Sequence, residues 1–146
     1  MTKLLMMIAI LSVGLVAAGN PAQQDVAAEL KKLSGTWQLV DELDDGKQIA
    51  AEEARKTKLI FDVSGGWKVE LDGKVVGEGT AKIDPTRKPK SIDYAFAKED
   101  ERFVAIYELD GESFRHCGVR KGARPSEFSS KPGSGQILTT FHRAKD

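Results

Sequence analysis

The sequence predicts an all-β fold, an eight-stranded antiparallel up-and-down barrel with a short N-terminal helix. Three observations lead to it. Apolar and polar residues alternate with period two after residue 34. Turn sequences such as Asp72-Gly73 and Asp110-Gly111 separate the alternating segments and favour hairpins. No helix long enough for the crossover connection of a parallel sheet is predicted between them. Closing the sheet removes its edges, and a two-sheet sandwich is the alternative.

The helix is expected over Pro21–Leu33, because Val26, Leu30 and Leu33 recur at helical spacing. Asp25 is the expected cap. This helical segment, residues 19–33, could plug one end of the barrel or tether it. The barrel domain covers residues 34–146 and includes a second short helix at 50–56. The predicted strands are 35–43, 59–63, 67–71, 75–84, 91–96, 103–109, 114–118 and 137–143.

Alternation also assigns side chains to faces of the sheet. In the first strand Trp37 and Leu39 are expected inside, with Gln38 and Glu42 outside. Gly77 and Gly79 fall on an inward face, where glycine suits a bend or leaves room.

Residues 120–135 form one long irregular loop, and such loops are often functional. Two interpretations remain open for it. Either it packs over one end of the barrel, or its side chains rim the mouth, with Arg124, Glu127, Phe128 and Lys131 as the candidates.

The N-terminus has the pattern of a secretory signal peptide. Lys3 precedes an uncharged run, residues 4–18, which ends in the small residues Val16-Ala17-Ala18. That run is shorter than the ~20 residues of a membrane-spanning helix. Because the only cysteine is Cys117, no lipid-anchored cleavage site is present. We expect cleavage after residue 18, no stable membrane anchor, and a periplasmic or secreted protein.

The composition argues against nucleic-acid binding and excludes an intrachain disulfide. The chain has 22 basic and 22 acidic residues, so no basic surplus exists to neutralise a nucleic-acid backbone. One cysteine permits no intrachain disulfide, even after export. Stability must therefore come from an apolar core.

Several short sequence motifs, taken together, resemble those of a lipocalin-like domain family of unknown function that is abundant in planctomycete bacteria. The resemblance covers residues 33–143 and implies an exported single-domain barrel, without known catalytic residues. The motifs are Leu33-Ser34-Gly35-Thr36-Trp37, Asp45-Gly46-Lys47, 73–79 (GKVVGEG), 84–93 (DPTRKPKSID), 106–111 (IYELDG) and 124–135 (RPSEFSSKPGSG).

In a barrel of this type, Gly35 and Trp37 would lie at the closed end. Arg143 of the last strand would then stack on the indole and bind carbonyls of the N-terminal segment, a structural role. The alternative for Arg143 is a solvated terminal charge.

A ligand would contact the inward side chains. The candidates are Phe61, Tyr94, Phe103, Tyr107, Phe114 and His116, with Leu59, Val69 and Phe96 as further lining residues. His116 has three interpretations: a hydrogen-bonded core histidine, an outward side chain, or a ligand contact.

Catalytic and metal chemistry find little support in the sequence. Cys117 follows His116 directly, and neighbours on a strand point to opposite faces, so no nucleophilic dyad is expected. Two histidines and one cysteine are too few for a metal site of paired ligand spacing. We expect no enzyme activity, metal or cofactor.

Two functional hypotheses follow. The first is an exported, monomeric module that binds a small apolar or amphipathic ligand. The second is a protein-interaction or inhibitor module with an extracytoplasmic partner and a filled barrel core.

Overall fold

The computed structural model describes residues 20–145. The predicted signal peptide, residues 1–18, lies outside the described residues. The helices are α1 (Pro21–Leu33) and α2 (Ala51–Lys56). The strands are β1 (Gly35–Asp44), β2 (Lys47–Gln48), β3 (Thr57–Phe61), β4 (Gly66–Leu71), β5 (Lys74–Asp84), β6 (Lys90–Phe96), β7 (Arg102–Asp110), β8 (Ser113–Val119) and β9 (Ile137–Arg143).

The sheet closes on itself. From β3 to β9 each strand pairs antiparallel with the next, and β1 pairs with both β3 and β9. The two-residue β2 only extends the far end of β1, at Leu43 and Asp44. Eight strands therefore form an up-and-down barrel, as predicted, and the sandwich alternative is wrong.

Helix α1 plugs the end of the barrel at which β1 begins. Leu33 is fully buried, and Glu29 is nearly so. The Glu29 carboxylate accepts hydrogen bonds from the Tyr107 hydroxyl at 3.0 Å and the Lys90 ammonium at 2.8 Å. These bonds fix the helix to β6 and β7, so the plug interpretation is the correct one.

The cap of α1 differs from the prediction. Asn20 precedes Pro21, and its side chain accepts a hydrogen bond from the Ala22 amide. Asp25 lies inside the helix, so its assignment as the cap was wrong. Proline suits the first helical position because its missing amide has no acceptor there anyway.

Trp37 and Arg143 close the plugged end. The Trp37 indole donates to the Leu33 carbonyl at 2.8 Å, and the Arg143 guanidinium carbon lies 4.0 Å from the centre of an indole ring. Arg143 also donates to the carbonyls of Ser34 at 2.7 Å and Lys32 at 2.8 Å. The expected stacking is thus present, and Arg143 is not a solvated terminal charge.

Gly35 is required where α1 meets β1. Its φ is +116°, and a Cβ atom there would lie 3.0 Å from Arg143 Nη1. Any side chain at Gly35 would combine a disfavoured backbone conformation with a contact on the closing arginine.

A β-bulge at Val40 changes the direction of the β1 side chains. Leu39 pairs with Phe141, but the next pair is Asp41 with Thr140. Val40 is left out and is 48 % exposed. Because one extra residue reverses the alternation, Glu42 lies opposite the buried Thr139 on the inner face. The predicted outward position of Glu42 was wrong.

The loop at 120–136 packs against the outer wall of the barrel. Phe128 lies under the Arg115 guanidinium at 4.1 Å, and the Ser129 carbonyl accepts from the buried Cys117 thiol at 3.2 Å. Arg124 donates to the Ala105 carbonyl at 2.8 Å and binds the Asp93 carboxylate. Arg124 and Phe128 therefore do not rim the mouth.

Arg143→Lys should lower the free energy of unfolding by about 1–2 kcal/mol. Lysine keeps the charge but loses the planar stacking and one of the two carbonyl bonds. Urea denaturation measures the change. Arg102→Lys, at an exposed position, is the control and should leave stability unchanged. Equal stability of the two variants would contradict a closing role for Arg143.

Candidate functional site

The unplugged half of the barrel encloses a cavity of about 300 Å³. All eight barrel strands contribute to its walls, and Arg120 lies where β8 ends. The lining residues are Leu39, Glu42, Thr57, Leu59, Trp67, Val69, Val76, Gly77, Tyr94, Phe96, Phe103, His116, Arg120, Ile137, Thr139 and Phe141. The other half of the interior is filled by packed side chains.

Three of the six predicted ligand residues line this cavity: Tyr94, Phe103 and His116. The further candidates Leu59, Val69 and Phe96 line it as well. Glu127 and Lys131, predicted for the rim, are exposed and lie outside the lining.

Phe61, Tyr107 and Phe114 are inward but do not line the cavity. Phe114 packs between Trp37 and Phe141, with ring centres 5.5 and 5.6 Å away, and Phe61 meets Phe114 edge-on at 6.0 Å. The Tyr107 hydroxyl is bound to Glu29. Alternation predicts the side of the sheet but not the depth along the barrel, which explains why these three inward residues lie outside the cavity lining.

Aromatic rings form one wall of the cavity. Trp67 packs edge-on against Tyr94 and Phe96, with ring centres 5.6 and 5.0 Å away, and Tyr94 packs on Phe103 at 5.8 Å. Gly77 leaves space in front of Trp67, because a Cβ atom there would lie 3.7 Å from the indole. This wall is rigid, apolar and able to stack on a flat or cationic group.

His116 is a hydrogen-bonded core residue that also borders the cavity. Its Nδ1 lies 2.8 Å from the Tyr94 hydroxyl oxygen. Burial lowers the pKa of His116 to about 3, so the imidazole is neutral at physiological pH. Burial also raises the pKa of Tyr94 well above its ordinary value, so the phenol keeps its proton.

The neutral pair has a preferred tautomer. Within residues 20–145 the Tyr94 hydroxyl has no acceptor other than His116 Nδ1. If Tyr94 donates to Nδ1, then Nε2 carries the imidazole proton. Nε2 has no partner in the same part of the chain. The first interpretation of His116, a hydrogen-bonded core histidine, is therefore correct, and the outward one is wrong. Because His116 also borders the cavity, a ligand contact stays a prediction.

Glu42 is the acidic side chain of the lining, and sequence reasoning missed it. The Thr139 hydroxyl donates to Glu42 Oε2 at 3.1 Å. Burial raises the pKa of Glu42, opposed mainly by the hydrogen bond from Thr139. Asp44 and Glu53 raise the pKa further, and Arg120 lowers it. No sequence signal marks the bulge at Val40 that turns this carboxylate inward.

The polar groups follow one line across the sheet. Thr139 pairs with His116 on one side and with Glu42 on the other. Two strand spacings separate His116 from Glu42, roughly 10 Å. The cavity wall thus has an imidazole and a carboxylate on either side of Thr139.

One further polar atom at the site is unpaired. Trp67 Nε1 is the one side-chain nitrogen or oxygen in the described part of the chain that is fully inaccessible to solvent and has no hydrogen-bond partner. An unpaired buried donor lowers stability by about 1–3 kcal/mol.

The predicted absence of a Cys–His dyad agrees with the geometry. His116 borders the cavity, whereas Cys117 is buried beneath the outer loop, and burial raises the pKa of its thiol. Residues 20–145 hold no cluster of three or more His, Cys, Asp or Glu side chains placed to bind a metal ion. Within the same range, neither helix is long and apolar enough to cross a membrane.

Comparison of the chain with family models, curated proteins and solved structures finds no match. The resemblance to the lipocalin-like planctomycete family therefore stays a prediction. The geometry of the cavity is what bears on function.

Acidification should destabilise the protein through His116. The unfolded chain binds a proton at His116 below about pH 6.5, while the folded protein resists it until about pH 3. As the pH is lowered between these values, His116 should reduce the free energy of unfolding by up to about 1.4 kcal/mol per pH unit.

Urea denaturation of the wild type and of a His116→Leu/Tyr94→Phe double variant across this range isolates the effect. The double variant removes both partners, so neither is left unpaired, and its stability should depend less steeply on pH. His142→Asn, at an exposed position, should keep the wild-type slope. Identical slopes for wild type and double variant would show that His116 is not buried in neutral form.

Proposed function

We propose that this protein is a binding module that holds one small amphipathic ligand in the open half of its barrel. The observation that carries the proposal is the cavity of about 300 Å³ beside a half in which Leu33, Trp37 and Phe114 are fully buried. An eight-stranded barrel is wide enough either to fill with side chains or to hold one small ligand. A filled core was expected of the protein-interaction alternative, so the cavity favours ligand binding.

The size of the cavity limits the ligand. Its volume of about 300 Å³ is at the lower end of small-molecule sites. At the ~30 Å³ that a water molecule occupies in the liquid, it has room for roughly ten non-hydrogen atoms. A fatty acid of membrane length would extend far beyond the mouth, whereas a single or fused ring would fit inside.

The lining determines the chemistry of the ligand. Most of its surface is aromatic or aliphatic, which supplies affinity through burial. The His116 Nε2 donor and the Glu42 carboxylate supply orientation at two separated points. A ligand with an apolar body and one or two polar ends matches this pattern better than a sugar or a hydrocarbon.

The cellular setting remains part of the proposal. The predicted signal peptide would export the domain, and binding would then take place in the periplasm or outside the cell. We further propose that the module acts as a monomer, as expected from the sequence.

Filling the cavity should abolish binding. Gly77→Leu places a side chain in front of Trp67 without a close contact at Cβ, which would lie 3.7 Å from the indole. 2-Naphthol and the n-alcohols from hexanol to decanol are suitable probes of the wild type. Gly77→Leu should weaken their binding at least about tenfold, about 1.4 kcal/mol, in titration calorimetry and native mass spectrometry.

Glu78→Leu is the matched control, because the exposed Glu78 is the next residue of the same strand and points outward. It should bind the probes as the wild type does. Absence of binding to any probe by the wild type would overturn the proposed function. Equal affinity in Gly77→Leu would place binding outside this cavity.

A further inference from the structure

We propose that the ligand is an amphipathic amine, with its ammonium group bound to Glu42 and its apolar body against the aromatic wall. This inference rests on the proposed function and specifies the class of ligand.

Glu42 has an oxygen free for a ligand. Thr139 donates to Oε2 at 3.1 Å, and Oε1 has no hydrogen-bond partner within residues 20–145. The hydrogen bond orients the carboxylate toward the interior, where it borders the cavity. A partly buried carboxylate with a free oxygen is matched by a cationic donor, because charge-assisted hydrogen bonds are stronger than neutral ones.

The charges around Glu42 favour a cation. Asp44 and Glu53 both act on it from β1 and α2, and Arg120 acts from the end of β8. The groove next to Glu42 adds Asp45 and Lys47. Together with Glu42 itself, four carboxylates therefore lie near two cations, Arg120 and Lys47. The Arg120 side chain is 68 % exposed and lies 3.8 Å from the Asp44 carboxylate. The charges next to Glu42 therefore sum to a net negative value, which attracts ammonium groups and repels carboxylates.

The aromatic wall holds the apolar body of the ligand. Trp67, Tyr94, Phe96 and Phe103 all border the cavity. Burial of an alkyl chain against these rings contributes affinity whatever the charge of the head group. An anionic head group would add a like charge near Glu42. A neutral alcohol would bind the same walls but leave the carboxylate without a counter-charge.

Protonation of Glu42 should be linked to amine binding. Burial raises the pKa of this carboxyl, with Asp44 and Glu53 acting in the same direction and Thr139 and Arg120 opposing them. The neutral His116 across β9 adds no charge. An ammonium beside Glu42 favours its ionised form, so binding releases protons on the acid side of that raised pKa. Amine affinity should therefore rise with pH, whereas alcohol affinity should not.

The test compares n-octylamine, n-octanol and n-octanoate, which share a chain length and differ in the charge of the head group. Titration calorimetry at neutral pH should give octylammonium about tenfold tighter binding than octanol, and octanoate the weakest. Glu42→Gln keeps the shape of the side chain, and it should reduce the amine-to-alcohol affinity ratio to about one. Glu78→Gln removes the same charge from the outer face and should leave the ratio unchanged.

A second measurement needs no variant. In the wild type, calorimetry in buffers of different ionisation enthalpy should detect proton release with octylammonium below neutral pH, and none with octanol. If all three ligands fail to bind, the proposed function fails. If octanol binds as tightly as octylammonium, or Glu42→Gln retains the ratio, or no proton is released, the amine inference is wrong while the proposed function stands.

Discussion

The pairing of β1 with β9 is the constraint on which the rest of the structure depends. It closes the sheet, so no strand of the barrel is left with an unpaired edge. The pairing runs from Trp37 with Arg143 to Asp44 with Ile137, with a single register shift at Val40. Before the shift, β1 places Trp37 and Leu39 inside. After it, β1 places the partly buried Glu42 inside, so one bulge brings a carboxylate to the wall of the open half.

The two halves of the barrel differ in how completely their side chains are packed and hydrogen-bonded. The plugged half is held by α1, by the Arg143 guanidinium on Trp37 and by the Glu29–Tyr107–Lys90 bonds. Its polar groups are satisfied and its interior is packed, so it supplies stability. The open half keeps an unfilled volume, an unpaired Trp67 nitrogen and a carboxylate with a free oxygen. Stability in the first half is what permits an incompletely packed second half.

Much of the fold could be predicted from the sequence, because period-two alternation and Asp-Gly turns are local signals. The helix at Pro21–Leu33, the order of the strands and the stacking of Arg143 on Trp37 are all present. The site was less predictable. Tyr94, Phe103 and His116 were found because alternation selects the inner face, but Phe61, Tyr107 and Phe114 share that face at a different depth. Glu42 was missed because the bulge at Val40 depends on pairing with β9, which lies about a hundred residues later in the chain.

One half of this barrel is packed, and the other holds a cavity that we propose to be a binding site. Methyl NMR of residues 19–146 during titration with n-octylamine tests this difference most directly. We expect shift changes at Leu39, Val69 and Thr139, with none at Leu33 or Ile92 in the packed half. Changes confined to the exposed Val63 and Val75, or an equal response in both halves, would contradict it.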